Sequence, residues 1–282
     1  MDNRRLKQLL VGDFTRQRLI RSVLLIIVMT YIGLGLCAYF LAPKIAFQPP
    51  PSTYRDTGEV IKIKVANGNM ISALYLPNEN ATYTILYSHG NGEDLGLARK
   101  LLENLRQSGF SVLAYDYEGY GTSTGSPSEQ NVYQDIDAAY NYLTNILHVA
   151  PHRIIAHGRS LGGAAAIDLA ARQPVAGLIL ESTFVSGSRI FNPFPIFPFD
   201  MFRNGDKLQT VKCPVLVIHG QSDKQIGFRH GERLYELASE PKMFLWVESA
   251  GHNDLTYVAG AKYDKALQDF QIMVSNNQTT TR

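Results

Sequence analysis

The chain has 282 residues, 45% hydrophobic and 18% charged, with a formal net charge of +2. This is the composition of a globular protein, and the small charge, with no basic stripe interleaved with aromatics, excludes nucleic acid as a partner. Cys37 and Cys213 are the only cysteines; one lies in an apolar segment and the other before Pro214, so no disulfide framework is implied.

Residues 1–21 form a basic segment, with Arg4, Arg5, Lys7, Arg16, Arg18 and Arg21 against Asp2 and Asp13. From Ser22 to Pro43 no residue is charged. As a helix that run spans about 30 Å, the thickness of a bilayer core. The excess of Lys and Arg before it predicts a cytoplasmic N-terminus and a C-terminal domain on the opposite side, periplasmic, luminal or extracellular. The run is longer than the apolar part of a signal peptide, and no small-x-small cleavage site ends it. Leu36 is too bulky for a lipoprotein box before Cys37. An uncleaved anchor over 22–43 is therefore expected. Residues 44–58, with Gln48-Pro49-Pro50-Pro51-Ser52, read as a short stiff linker that sets the domain off the bilayer.

Beyond the linker, about 230 residues suffice for one large domain, expected over 59–275. Val60–Val65 and Ile71–Leu76 alternate around Asn67-Gly68 and predict an opening hairpin. Tyr83–Tyr87 and Ser111–Tyr115 predict buried strands, with a helix between them. Val132–Leu147 predicts the next helix, Arg153–Ala156 a strand, and Gly163–Arg172 an Ala-rich helix. Val175–Leu180 and Val215–Ile218 are continuous apolar runs, as in strands covered on both faces. A helix over Phe228–Leu237, a strand over Met243–Val247, a helix over Tyr257–Val274 and a frayed polar tail over 276–282 complete the chain. Strands alternating with helices imply an α/β fold, a mostly parallel sheet between two helical layers.

Gly158-Arg159-Ser160-Leu161-Gly162 falls between a predicted strand and a predicted helix, the setting of a nucleophile elbow. Ser160 needs a base to remove its proton. His252 follows the last predicted strand, and Asp223 follows the strand before it, so the order Ser, Asp, His runs along strand ends at one edge of the sheet. Glu181 also ends a strand and stays open as a rival acid, and Asp223 could instead cap a helix. Two amides must face the developing oxyanion: Leu161, after the nucleophile, and Asn91, in His89-Gly90-Asn91-Gly92. His89, His157 and His219 read as structural. Asp116–Ser123 could line an acyl pocket, but reads first as a hydrogen-bonded turn. Residues 184–207, rich in Phe and Pro, read either as a core-packing loop or as a small aromatic cap that forms an apolar substrate slot or touches lipid, and the density of phenylalanines favours the cap.

Ser88-His89-Gly90-Asn91, Tyr115-Asp116-Tyr117-x-Gly119-Tyr120-Gly121-x-Ser123 and Pro127-Ser128-Glu129 stand in order along the chain. Asp135-Ile136-Asp137-Ala138-Ala139, His219-Gly220-x-x-Asp223, His230-Gly231-x-x-Leu234-Tyr235-Glu236 and Ala250-Gly251-His252-Asn253-Asp254 follow. With these motifs the chain resembles the membrane-associated α/β-hydrolase-domain proteins, which include protein depalmitoylases and their bacterial relatives. The resemblance covers roughly Tyr83 to Asp254 and implies the α/β-hydrolase fold. It also implies a Ser160–His252–Asp223 triad that cleaves acyl esters or thioesters. The expected partners are an acyl-bearing lipid, ester or acylated protein, and a membrane. Two departures stand out: a spanning helix replaces the acylated Cys-rich N-terminus of the depalmitoylases, and the elbow is more generic than theirs. A serine aminopeptidase would need acidic groups in the cap, where Phe184–Phe202 offers only Asp200; a non-catalytic binding protein would not need a complete triad. No metal cluster or nucleotide loop appears, so no cofactor is expected.

Overall fold

The computed structural model describes residues 16–191 and 200–280. The chain divides into two compact units between Ile45 and Ala46.

The first holds nearly all of helix α1, which runs over Arg16–Ala46. Leu24, Ile26 and Phe40 are among its many exposed apolar side chains. Among the described residues it is the one helix long and apolar enough to cross a membrane, by length and composition. It starts earlier than the uncharged run, because Arg16, Arg18 and Arg21 join its first turns. Residues 1–15 lie outside the described residues.

The second unit holds eight strands: β1 Val60–Lys64, β2 Met70–Leu76, β3 Thr84–Ser88, β4 Ser111–Tyr115, β5 Ile154–Arg159, β6 Gly177–Glu181, β7 Val215–Gly220 and β8 Lys242–Val247. They form one sheet in the order β1-β2-β4-β3-β5-β6-β7-β8. The hairpin pairs Lys64 with Met70, and β2 pairs antiparallel with β4; from β4 to β8 every pairing is parallel. Successive side chains of the central strands enter different cores. Leu86, Leu113, Ala156, Leu178 and Val217 face one layer, and Ile85, Val112, Ile155, Ile179 and Leu216 the other. The first layer holds α3 (Glu129–Asn141) and α4 (Gly162–Arg172), and the second α2 (Leu95–Gln107). Strands apolar on both faces can only lie between two such layers. The expected α/β-hydrolase sheet is present.

Several boundaries differ from expectation. Helix α3 begins earlier, where the Ser128 side chain accepts the Asn131 amide as an N-cap, and its last turn widens into a π-turn over Tyr142–Ile146. Within the segment 184–207 expected to form the cap stand the short helix α5 (Gly187–Phe191) and, at its end, α6 (Asn204–Leu208), while residues 192–199 lie outside those described. Helix α7 is Arg229–Leu237. The single closing helix expected over 257–274 is two: α8 Leu255–Ala259 and α9 Ala261–Thr280, broken at Gly260, whose φ of +50° suits glycine. The tail expected to fray from Asn276 continues α9 to Thr280, with Gln278 donating to the His152 carbonyl.

The linker expected over 44–58 lies against the domain from Phe47 onward. Phe47 is only 5% exposed, and Thr53 and Tyr54 hydrogen-bond to Asp94 and Asp116. A Pro-rich stretch carries no sign of the surface it will contact, so the composition reads as a spacer.

Candidate active site

Ser160 occupies the turn between β5 and α4. Its φ of +51° is left-handed, a strain of order 1–3 kcal/mol for a non-glycine residue. The neighbouring glycines make the turn feasible. A Cβ on Gly158 would collide with the carbonyl of Gly162, and one on Gly162 with that of Ser88. The turn is pinned from behind, with the Ser160 amide donating to the Glu181 carbonyl at 2.8 Å. The Thr183 hydroxyl donates to the Ser160 carbonyl at 2.6 Å.

His252 and Asp223 lie in the loops after β8 and β7. His252 Nε2 is 3.1 Å from Ser160 Oγ, and His252 Nδ1 is 2.7 Å from Asp223 Oδ2. The two loops are stitched together by Gln221 N–H to Val247 O and Ser222 N–H to Ala250 O, both at 3.0 Å. Asp223 Oδ1 also accepts the amides of Gln225 and Ile226 in the turn that follows it. It caps no helix, since α7 has Phe228 at its N-cap, and the turn and the contact with His252 use different oxygens of one carboxylate. Burial pushes the Asp223 carboxyl up, but the hydrogen bond and charge attraction of His252, with the Ile226 amide, outweigh it and hold the group below its ordinary range. Glu181, the rival acid, is committed elsewhere: its carboxylate accepts from Tyr263 at 2.7 Å and faces His157 Nε2 at 3.3 Å.

The Asn91 loop follows β3, beside the elbow. The Gly90 amide is taken by Glu93 Oε2 at 2.9 Å. Among the described residues no acceptor binds the amide of Asn91 or of Leu161, which leaves both donors for a ligand. The Asn91 side chain is fixed, its Oδ1 accepting from the Tyr120 hydroxyl at 2.6 Å and the Gln48 amide at 2.9 Å.

Residues that the sequence motifs did not single out tie these loops together. Arg159 forms an ion pair with Glu93, and its Nη2 donates to the His252 carbonyl and to Asn253 Oδ1, both at 2.9 Å. Burial opposes the Arg159 charge, but Glu93, Tyr87 and Glu181 outweigh it and raise its pKa. The only trace in the sequence was its place inside the elbow. His89 Nδ1 lies 2.8 Å from the Gly90 carbonyl and His219 Nε2 2.8 Å from that of Ile226. His157 faces Glu181, so all three are built into the fold. The Asp116–Ser123 segment is a hydrogen-bonded turn, Tyr120 N–H meeting Tyr117 O and Ser123 N–H meeting Tyr120 O, each at 2.9 Å. Both cysteines are free. Among the described residues no cluster of His, Cys, Asp and Glu could hold a metal ion.

A serine, a histidine and a carboxylate in line above the carboxyl edge of a parallel sheet define the class: a serine hydrolase of the α/β-hydrolase fold. The model of the family described as "Serine aminopeptidase, S33" matches residues 79–204, which include Ser160 but neither Asp223 nor His252. The chain is 37% identical to alpha/beta hydrolase domain-containing protein 17B of Xenopus tropicalis over 250 residues, covering 78% of this chain and 87% of that one. It is 38% identical to protein 17C of Mus musculus over 242 residues, covering 84% and 75%. It belongs to the alpha/beta hydrolase domain-containing protein 17 family. The fold is also that of an esterase of Pyrococcus furiosus, at a TM-score of 0.66 and 19% identity over 80% of this chain and 99% of that one. An esterase of Rhodococcus superposes at 0.62 with 16% identity, covering 77% and 98%.

Proposed function

We propose that this hydrolase is membrane-anchored and cleaves acyl esters or thioesters, with Ser160 as nucleophile, His252 as general base and Asp223 as the acid that orients it. The observation that carries the reading is the unbroken hydrogen-bonded line from Asp223 through His252 to Ser160 Oγ. As Ser160 Oγ attacks the acyl carbon, His252 Nε2 takes its proton, and the oxyanion is met by the amides of Leu161 and Asn91. His252 then protonates the leaving alcohol or thiol. Water, deprotonated by His252, attacks the acyl-enzyme and releases the acid. A fluorophosphonate probe should label the wild type and not Ser160→Ala; labelling that survives in Ser160→Ala refutes the assignment.

The substrate reading is an acyl-bearing lipid, ester or acylated protein, in keeping with the depalmitoylase resemblance. The aminopeptidase description of the matching model raises a second reading. Against it, Asp200 is already engaged by the Ser188 amide and hydroxyl, both at 2.8 Å. A panel of p-nitrophenyl esters and thioesters against aminoacyl anilides separates the two, and preference for the anilides would favour the peptidase.

In this proposal residues 22–43 span the membrane, the basic residues 1–21 stay cytoplasmic, and the domain from about residue 59 lies on the other side. There it meets acyl groups of that leaflet rather than of cytosolic proteins. In sealed vesicles of known sidedness, protease should digest the domain only from the non-cytoplasmic face. Digestion from the cytoplasmic face overturns the orientation.

A further inference from the structure

We propose that residues Phe47–Tyr54 are a positioning strap of the active site, which holds the loop carrying the Asn91 amide in the geometry that receives the oxyanion. The inference rests on the triad reading above and adds a part to it. The strap grips the loop at both ends. At the first, the Gln48 amide donates to Asn91 Oδ1 at 2.9 Å and to the Tyr120 hydroxyl at 3.2 Å. At the other, the Thr53 amide and hydroxyl donate to the two oxygens of Asp94, at 2.7 and 2.5 Å. Asp94 is also the N-cap of α2, accepting the Leu97 amide at 3.0 Å. One residue on, the Tyr54 hydroxyl donates to Asp116 Oδ2 at 2.5 Å, while Asp116 Oδ1 accepts the Leu95 amide at 2.9 Å.

The start of the strap is fixed by packing. Phe47 meets Phe202 edge to face, with ring centroids 6.0 Å apart, and Phe202 in turn packs on Phe184 and Tyr133. Pro49, Pro50 and Pro51 then restrict the backbone between the two grips, so that little chain entropy is lost in holding it. A spacer needs none of these contacts. The hydrogen bonds of Gln48 and Thr53 end on the segment Asn91–Leu95, and those to Tyr120 and Asp116 reach it at one remove, since Tyr120 donates to Asn91 and Asp116 accepts from Leu95. The position of that segment decides where the Asn91 N–H points. An oxyanion donor acts through placement within a few tenths of an ångström, and losing one costs about a hundredfold or more in kcat. Loosening one costs part of that.

The test uses the full chain in detergent micelles. Gln48→Pro deletes the N–H that holds Asn91, in a stretch already rich in proline, and Thr53→Val deletes the hydroxyl on Asp94 while keeping the shape. Each is assayed for kcat and KM on p-nitrophenyl butyrate, for inhibition by an alkylboronic acid, which forms a tetrahedral adduct on the serine, and for its melting temperature. We expect Gln48→Pro to lower kcat about tenfold or more with KM within about twofold, and to weaken the boronate by a similar factor. Thr53→Val should do the same to a smaller extent. Wild-type kcat and boronate affinity in both variants overturns the proposal, as does a fall in kcat with boronate affinity unchanged. If Gln48→Pro does not fold, Thr53→Val decides by the same two readings. Failure of the triad reading is seen separately, as fluorophosphonate labelling that Ser160→Ala does not abolish.

Discussion

The Nη2 of Arg159 donates to the carbonyl oxygen of His252 at 2.9 Å, so the residue before the candidate nucleophile holds the backbone of the candidate base. The same guanidinium pairs with Glu93, which holds the Gly90 amide. One planar cation at the end of β5 thus joins the loops that follow β3 and β8.

Lysine cannot reproduce that fork, because an ammonium is a single point charge. Arg159→Lys is expected to lower kcat about tenfold. Arg159→Met also leaves Glu93 and the buried Glu181 without their cation, at a cost of about 3 kcal/mol in stability. Steady-state kinetics and urea unfolding of the two variants measure these effects. Equal stability of Arg159→Met and wild type would show that the carboxylates do not depend on the guanidinium.

Asp223→Asn should lower kcat by about a thousandfold or more. The amide can still accept from Gln225 and Ile226 through its oxygen, which turns its NH2 toward His252 Nδ1. That favours the tautomer with the proton on Nε2, which cannot accept one from Ser160. Glu181→Gln, by contrast, should keep kcat within about tenfold, since the carboxylate serves His157 and Tyr263 and not His252. A larger loss in Glu181→Gln than in Asp223→Asn would reverse the two roles.

Gly162→Ala places a methyl against the Ser88 carbonyl, and backbone cannot yield as a flexible side chain can. The expected result is loss of fluorophosphonate labelling together with a lower melting temperature. A variant that labels like wild type would mean the elbow is looser than its packing indicates.

Asp135 supplies a pH dependence. Burial raises its carboxyl to about 8, aided by the nearby Glu118 charge and opposed by the Glu118 amide, which donates to it at 2.9 Å. The unfolded value is about 4. Between these values the native state keeps a proton that the unfolded chain has released, so stability falls as pH rises from about 4 to about 8 and then levels off. Asp135→Asn imitates the protonated form and should raise the melting temperature at pH 8.5 while changing it little at pH 5. The same increment at both pH values would show that this carboxyl does not titrate in that range.

Much of the fold was legible in the chain. Continuous apolar runs such as Val215–Ile218 announce strands buried on both faces, because burial on two sides leaves no place for polar side chains. Gly158 and Gly162 announce the elbow because only glycine fits where the turn meets the carbonyls of Ser88 and Gly162. The strap was not legible. Its partners Asn91, Asp94 and Asp116 lie far along the chain, and a proline run has the same composition whether it is packed or free. The break at Gly260 was missed because the apolar periodicity resumes after it, in phase enough to read as one helix.

The order Ser160, Asp223, His252 and the type of nearly every element are local properties, set by hydrophobic period and by glycines that punctuate strand ends, and the sequence by itself determined them. Which carboxylate reaches His252, which amides stay free beside Ser160, and what Arg159 and Gln48 hold were decided only in the tertiary structure. Those contacts join loops that follow different strands, and it is the order of strands in the sheet, with the packing of Phe47 on Phe202, that brings such distant groups within hydrogen-bonding reach.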